Sequence, residues 1–441
     1  MTTLHDRLSD LADEVEAISV PAKQEDLWTA GRREHRRHRA GAALLGVAAV
    51  IVVVGLVRVG LPSTIDKTVP PADVPFGDLH LPRTVYPPSR WAPGTHEAGV
   101  VGPVAAIGMS IRARPKGVSG VHEGPAVFAV SAVDGSVRWL DLPESGLDDL
   151  GNAWPTLSPD GTKVGYAVGP HDLGQQTAIE GWAVYDTVTG ETVQLRDPDQ
   201  QSIVGSAVFD IQFSGDSRYL ETDYSLTGSS SSRDHQLVVW DVESGERTVA
   251  EGTGRFWLPQ LGSAPSGIVW SRKADTFTFD PRTGATTTRT ASTDRLVEWS
   301  DGPGGVSAYI DRGVRNKDPW RLFSGDGVEL GHDLAVENLM GWRDDTTVVV
   351  QTAATQKVLY VDVNSGKTVD SEQLEVAGNE NGVPTHLIYA ADLWPNGMVD
   401  GRRPPAFDDP RVGVSDVLRY VGPAFFVGLI GLILWRRRVR P

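Results

Sequence analysis

The chain has 441 residues, among them 48 glycines, 29 prolines and no cysteine, and a formal net charge of −16. The lack of cysteine excludes a disulfide scaffold, a thiolate metal site and a cysteine nucleophile. An acidic surface repels phosphate backbones, so nucleic acid is not an expected partner.

Residues 1–39 open with LHDRLSDLADEVEAI, in which Leu4, Leu8, Leu11 and Val15 recur at helical spacing on an otherwise acidic segment. That is one amphipathic stripe. A single short helix cannot bury such a stripe alone. It reads either as a docking helix for a cytosolic partner or as a frayed tail. The segment ends in the basic cluster GRREHRRHR, where His35 and His38 belong to the basic flank rather than to a metal site.

Residues 40–59 read as a first transmembrane helix. Ala40–Val57 carries no charge, and at about 1.5 Å per residue it approaches the hydrocarbon thickness of a bilayer. The long acidic leader and the lack of a small-residue cleavage site argue against a signal peptide. The arginines before it place the N-terminal side in the cytoplasm and suit anionic lipid headgroups. Residues 60–80 predict an extended, proline-rich stalk, and the same composition continues to Trp91.

Residues 81–394 are organised by a recurring phrase, clearest as VYDTVTGETVQL at Val184–Leu195. Strand formers flank an Asx-Thr-Gly turn, which is a β-hairpin signal. Relatives begin at Val239 (VWDVESGERTV), Phe279 (FDPRTGATTT) and Tyr360 (YVDVNSGKTV), with looser forms in VSAVDGSVRWL and LFSGDGVEL. The turn glycines at 135, 190, 245, 284, 327 and 366 are spaced by 55, 55, 39, 43 and 39 residues. Periods of about 40–50 residues with several short strands each mark propeller blades. At the mean interval, 81–394 would hold about seven blades, with six the alternative. A second phrase, LSPDGTKVGYA from Leu157, returns as FSGDSRYL from Phe213. The run SLTGSSSSRD, Ser225 to Asp234, reads as a flexible loop inserted in one blade. The 13 tryptophans are spread along the repeats, as core and blade-packing residues would be.

Residues 395–416 form a second polar, proline-containing linker. Residues 417–435, VLRYVGPAFFVGLIGLILW, read as a second transmembrane helix with Tyr420 and Trp435 at the interfaces. The arginines of the tail, 436–441, place that end in the cytoplasm as well. The fold class is therefore all-β: a single extracytoplasmic propeller flanked by two transmembrane helices, with the lipid bilayer as a partner.

No catalytic, cofactor or metal residues stand out. There is no HExxH, no EF-hand loop, no phosphate-binding glycine loop and no G-x-S-x-G; Gly108-Met109-Ser110 lacks the second glycine. His96-Glu97 and His332-Asp333 are isolated pairs. Asp148-Asp149, Asp197 with Asp199, and Asp344-Asp345 are carboxylate clusters, the last in a GWRDDT segment that reads as a turn.

The alternation of SPDG-type and D-x-x-[ST]-G-type turns resembles WD40-like and TolB-like β-propeller repeats over Leu81–Trp394, although only Trp240-Asp241 keeps a WD dipeptide. Residues 1–57 resemble the leader and anchor of membrane-bound WD40-like proteins of high-GC, actinobacterial-type bacteria. A closed propeller presents a rigid rim of loops around a central channel, so the chain reads as a non-enzymatic module that binds or senses a protein or cell-envelope ligand. The alternatives are an anti-sigma-like signalling protein acting through residues 1–39, and a glycan-active hydrolase or lyase on a propeller scaffold.

Overall fold

Runs such as LVVW (237–240), TVVV (347–350) and VLYV (358–361) are apolar without alternation, so each such strand must be buried on both faces. A ring of radially packed sheets supplies two buried faces. In this computed structural model Val238 and Trp240 pack against Trp182 and Val184 of the preceding sheet. Leu237 and Val239 pack against Ile268 and Trp270 of the following one. The hydrophobic core is thus a series of interfaces between neighbouring sheets rather than one centre.

Apart from the isolated Ile430, the structure describes residues 78–409 except 117–119, 146–153, 170–177, 199–202, 205–210, 226–234, 255–259, 273–274, 291–295, 312–318, 332–333, 353–356 and 379–381. The chain enters through β1 (Leu81–Pro82), β2 (Thr84–Val85) and the short helix α1 (Thr95–Ala98). Blade 1 holds β3 (Val104–Lys116), β4 (Gly120–Ser131) and β5 (Val137–Trp139). Blade 2 holds β6 (Thr156–Leu157), β7 (Lys163–Val168), β9 (Gly181–Asp186) and β10 (Thr192–Leu195). Strand β8 (Ala178–Ile179), between β7 and β9, pairs with β11 (Ile203–Val204), which follows β10. Blade 3 runs through β12 (Ile211–Phe213), β13 (Tyr219–Ser225), β14 (His235–Asp241) and β15 (Arg247–Gly254). Blade 4 runs through β16 (Gln260–Ala264), β17 (Gly267–Arg272), β18 (Asp275–Asp280) and β19 (Ala285–Thr290). Blade 5 has β20 (Leu296–Asp301), β21 (Ser307–Asp311), β22 (Arg321–Ser324) and β23 (Glu329–Leu330). Blade 6 has β24 (Val336–Trp342), β25 (Thr347–Thr352), β26 (Lys357–Asp362) and β27 (Lys367–Gln373). The inner strands of blades 4 and 5 are bridged in parallel at Ser263 and Ser300.

The ring closes by strand exchange. After blade 6 the chain forms β28 (Glu375–Val376), then β29 (Thr385–Tyr389), which is the inner strand of blade 1 and pairs with β3. A 3-10 helix (Ala391–Asn396) and β30 (Met398–Val399) follow. Strand β1 pairs in parallel with β30, and β2 with β28. Both ends of the domain therefore meet at one seam, reinforced by Arg83 Nη1 donating to Asp400 Oδ1 at 3.0 Å.

The structure has six blades, not the seven favoured by the repeat spacing. Dividing 81–394 by the mean interval counts the closing segments, residues 81–103 and 390–394, as blade. The six turn glycines give the right number directly. Each sits between the third and fourth strands of one blade with φ between 67° and 84°, a conformation that favours glycine. In five of the turns the aspartate oxygen accepts a backbone N–H two or three residues on, as Asp186 does from Val188 and Thr189.

The proline-rich stretch does not remain a stalk throughout. Leu81 and Val85 are fully buried against the propeller, and linker residues reach back too, with Ser89 Oγ donating to Phe407 O at 3.2 Å. The tryptophans at 139, 182, 240, 270, 299 and 394 are fully buried, as expected of packing residues. The polar insert joins β13 to β14 within blade 3, and its residues 226–234 lie outside the described residues. So do the segments 1–39, 40–59, 417–435 and 436–441 but for Ile430, and most of 60–80. Among the described residues no helix is long and apolar enough to cross a membrane.

Candidate functional site

Among the described residues β3 and β4 are the longest strands, at 13 and 12 residues. Their neighbours are short. Strand β29 meets β3 between Ala106 and Met109, and β5 meets β4 only between Phe128 and Val130. Among the described residues the distal half of the hairpin is therefore a two-stranded ribbon, its β3 edge met by the Arg90 carbonyl, which accepts the Ala113 N–H at 2.9 Å.

Side chains alternate across a strand, so Arg112 and Arg114 share one face of the ribbon, facing Gly124 and His122 directly across the register. Arg112 is only 7% exposed. Its Nη1 donates to Asp141 Oδ1 at 2.5 Å, and Arg114 Nη2 donates to the same oxygen at 3.2 Å. Burial pulls the Arg112 guanidinium downward, against the opposing pull of Asp141. The other Asp141 oxygen accepts the backbone N–H of His96 at 2.9 Å, and the Asp141 N–H donates to Thr95 Oγ1 at 3.0 Å.

Asp141 thus fixes the N-terminal end of α1, where unpaired N–H groups favour an anion. Arg138 Nη1 closes the other end, donating to the carbonyls of Ala98, Gly99 and Val100 at 2.9, 3.0 and 2.7 Å. A four-residue helix has no stability of its own, and these two clamps hold it. Gly94, just before it, is required by close approach. A β-carbon there would lie 2.0 Å from Asp141 Oδ2 and 2.6 Å from Arg112 Nη2.

Between the ribbon and the segment that leaves blade 1 lies a groove of about 310 Å³. Arg112, Arg114, His122, Leu140, Leu142 and Glu144 line it, over a floor formed by Gly124–Val127 of β4. Glu144 has φ 54°, a left-handed conformation costly for a side chain of this kind. Its carboxylate is drawn toward Arg196 at 3.6 Å and accepts from Gln194 Nε2 at 3.1 Å.

The inner strands carry a second unusual group. Glu298 Oε2 on β20 accepts the N–H of Leu339 on β24 at 2.8 Å, and burial pushes its carboxyl up to about 7.

The acidic clusters singled out in the sequence are dispersed. Asp344 closes the turn between β24 and β25, accepting the N–H groups of Thr346 and Thr347. Asp197 is buried between blades 2 and 3, bonded to Tyr224 Oη at 2.5 Å and paired with Arg247. His96-Glu97 lies in α1, and Ser110 lies within β3. Asp148-Asp149, Asp199 and His332-Asp333 fall outside the described residues. Among the described residues no three His, Cys, Asp or Glu side chains converge as a metal site. The Arg112–Arg114–Asp141 convergence was not singled out. Its one sequence signal is the alternation of arginine in I-R-A-R, which puts two like charges on one strand face.

No protein-family model matches the chain, and no curated protein does. The solved structures similar to it at low identity include three that illustrate the likeness. A chain of the mitotic checkpoint complex is 14% identical, with 53% of this chain and 69% of that one covered and a TM-score of 0.36. TolB from Acinetobacter baumannii is 12% identical, with 63% and 72% covered and a TM-score of 0.32. A chain of the nidogen/laminin complex is 12% identical, with 65% and 99% covered and a TM-score of 0.37. The propeller assignment stands on the sheet order and the strand exchange, not on these likenesses.

Proposed function

We propose that the protein is a membrane-anchored, extracytoplasmic β-propeller that binds a protein or cell-envelope ligand without chemical turnover. The observation that carries the reading is the seam. Strands β1 and β30 pair at Leu81–Met398 and Pro82–Val399, so the two ends of the propeller leave from one place. Ends that meet suit a body held by two membrane anchors, and the apolar segments 40–59 and 417–435 with their arginine flanks supply them. A closed propeller presents rigid loops and grooves, which suit binding, and fold alone assigns no chemistry.

The chain lacks cysteine, so a single introduced thiol reports topology without background. Val328, 62% exposed in the propeller, is changed to Cys, and Ser9→Cys marks the leader. A membrane-impermeant maleimide applied to intact cells is expected to label the first and to reach the second only after permeabilisation. Labelling of position 328 only after permeabilisation would contradict the reading.

A further inference from the structure

We propose that the blade 1 groove binds an extended acidic peptide, laid along the outer edge of β4 with a carboxylate on Arg112 and Arg114. This rests on the reading of the propeller as a binding module and names the chemistry of its ligand.

The backbone edge comes first. Strand β5 ends its pairing with β4 at Phe128, and one further bond, from Leu140 N to Val127 O at 2.9 Å, continues the ladder. Among the described residues no strand pairs with β4 on that side between Val121 and Ala126. Val127 bonds outward to Leu140, so Val121, Glu123 and Pro125 face the same way. Pro125 has no N–H, and an added strand is held by the amides of Val121 and Glu123 and by the three carbonyls, while side-chain pockets give specificity. Six residues at about 3.3 Å each make roughly 20 Å of edge, enough for a hexapeptide.

Charge selects the occupant. Two guanidinium groups share a single oxygen of Asp141, and that carboxylate is also committed to α1. Each guanidinium carries five N–H donors in a fixed fork, and Arg112 spends one of them on Asp141. Among the described residues the one carboxylate lining the groove, Glu144, is drawn toward Arg196. A second carboxylate is thus the group that the arginine pair can still take. Gly124, opposite Arg112, adds no side chain to the floor, and Leu140 and Leu142 offer apolar contact on the far wall.

The test uses the purified full chain in detergent and two fluorescein-labelled hexapeptides, alternating Glu-Thr and alternating Gln-Thr. Alternation sets all the carboxylates on one face of a strand. By fluorescence anisotropy the Glu-Thr peptide is expected to bind at least tenfold more tightly than the Gln-Thr peptide, and less tightly as salt is raised. Arg114 is 53% exposed and can be replaced without emptying the core. Arg114→Ala should weaken the Glu-Thr peptide at least fivefold, whereas Arg321→Ala on blade 5 should leave it unchanged. Equal binding of the two peptides, or an unchanged affinity in Arg114→Ala, would overturn the proposal. Free glutamate competing as well, mole for mole, as the peptide would overturn the strand-addition part. The assay is indifferent to membrane topology, so its failure is distinct from failure of the thiol labelling.

Discussion

Glu298 shows how far a single side chain can depart from what its letter suggests. It stands on an inner strand, half-buried, and bonds the amide of Leu339 on the next blade. Its carboxyl moves from an ordinary 4.5 up to about 7 because burial penalises the charged form. A raised carboxyl holds its proton more tightly in the folded state than in the unfolded one. Its stabilising contribution is therefore complete below about pH 4.5 and is lost as pH rises through 7, with an upper bound of about 3.4 kcal/mol that the side chain's partial exposure reduces. Glu298→Gln keeps an oxygen for the Leu339 amide and removes the titration. Denaturation midpoints between pH 5 and 7 should fall with pH in the parent protein and fall less steeply in the variant. Parallel pH profiles would show that Glu298 does not titrate there. Nothing in the letters L-V-E-W-S marks this residue, because its environment is made by a strand 41 residues away. The turn residues are the opposite case. Asp186 and Gly190 act on amides within four positions, so their role is written locally and was legible.

At the scale of elements, the hairpins between third and fourth strands were readable one by one, and so was the order of the two turn types inside a blade. Ser158 and Ser214 begin matching turns, each hydroxyl donating at 2.6 Å to the aspartate two residues on, although the second has lost its proline. Helix α1 was not readable, since four residues carry no periodicity. Its stability is borrowed from Asp141 and Arg138, both more than 35 residues away. Arg138→Met keeps the apolar stem and removes three charge-assisted bonds. The loss is expected to be about 2 kcal/mol, in the range of hydrogen bonds to charged groups. Amide exchange should accelerate across residues 96–100 while the amides of β13 and β14 stay protected. Unchanged exchange at 96–100 would show that α1 is held by something else. The groove beside α1 escaped the sequence for the same reason: Arg112, Asp141 and Glu144 come from different elements and meet only in the fold.

At the scale of the molecule, the repeat period identified a propeller but miscounted its blades, because a length divided by a period cannot tell blade from closure. The closing strand β29 has no phrase of its own. Residues 385–389 read T-H-L-I-Y, an ordinary strand whose partner, from Tyr389 to Ala106, lies 283 residues earlier. Ring closure is nonetheless what brings the two ends to one seam, sets blade 1 beside blade 6 and leaves the long hairpin of blade 1 projecting. The direct measurement is a cross-link. Met109 and Thr385 are register partners across β3 and β29, at a separation that cross-strand pairs and disulfides share. In the otherwise cysteine-free chain, Met109→Cys with Thr385→Cys should oxidise to an intramolecular disulfide in the folded protein and raise its melting temperature. Two thiols that remain free under oxidising conditions, in a protein that still melts cooperatively, would contradict a ring closed by β29.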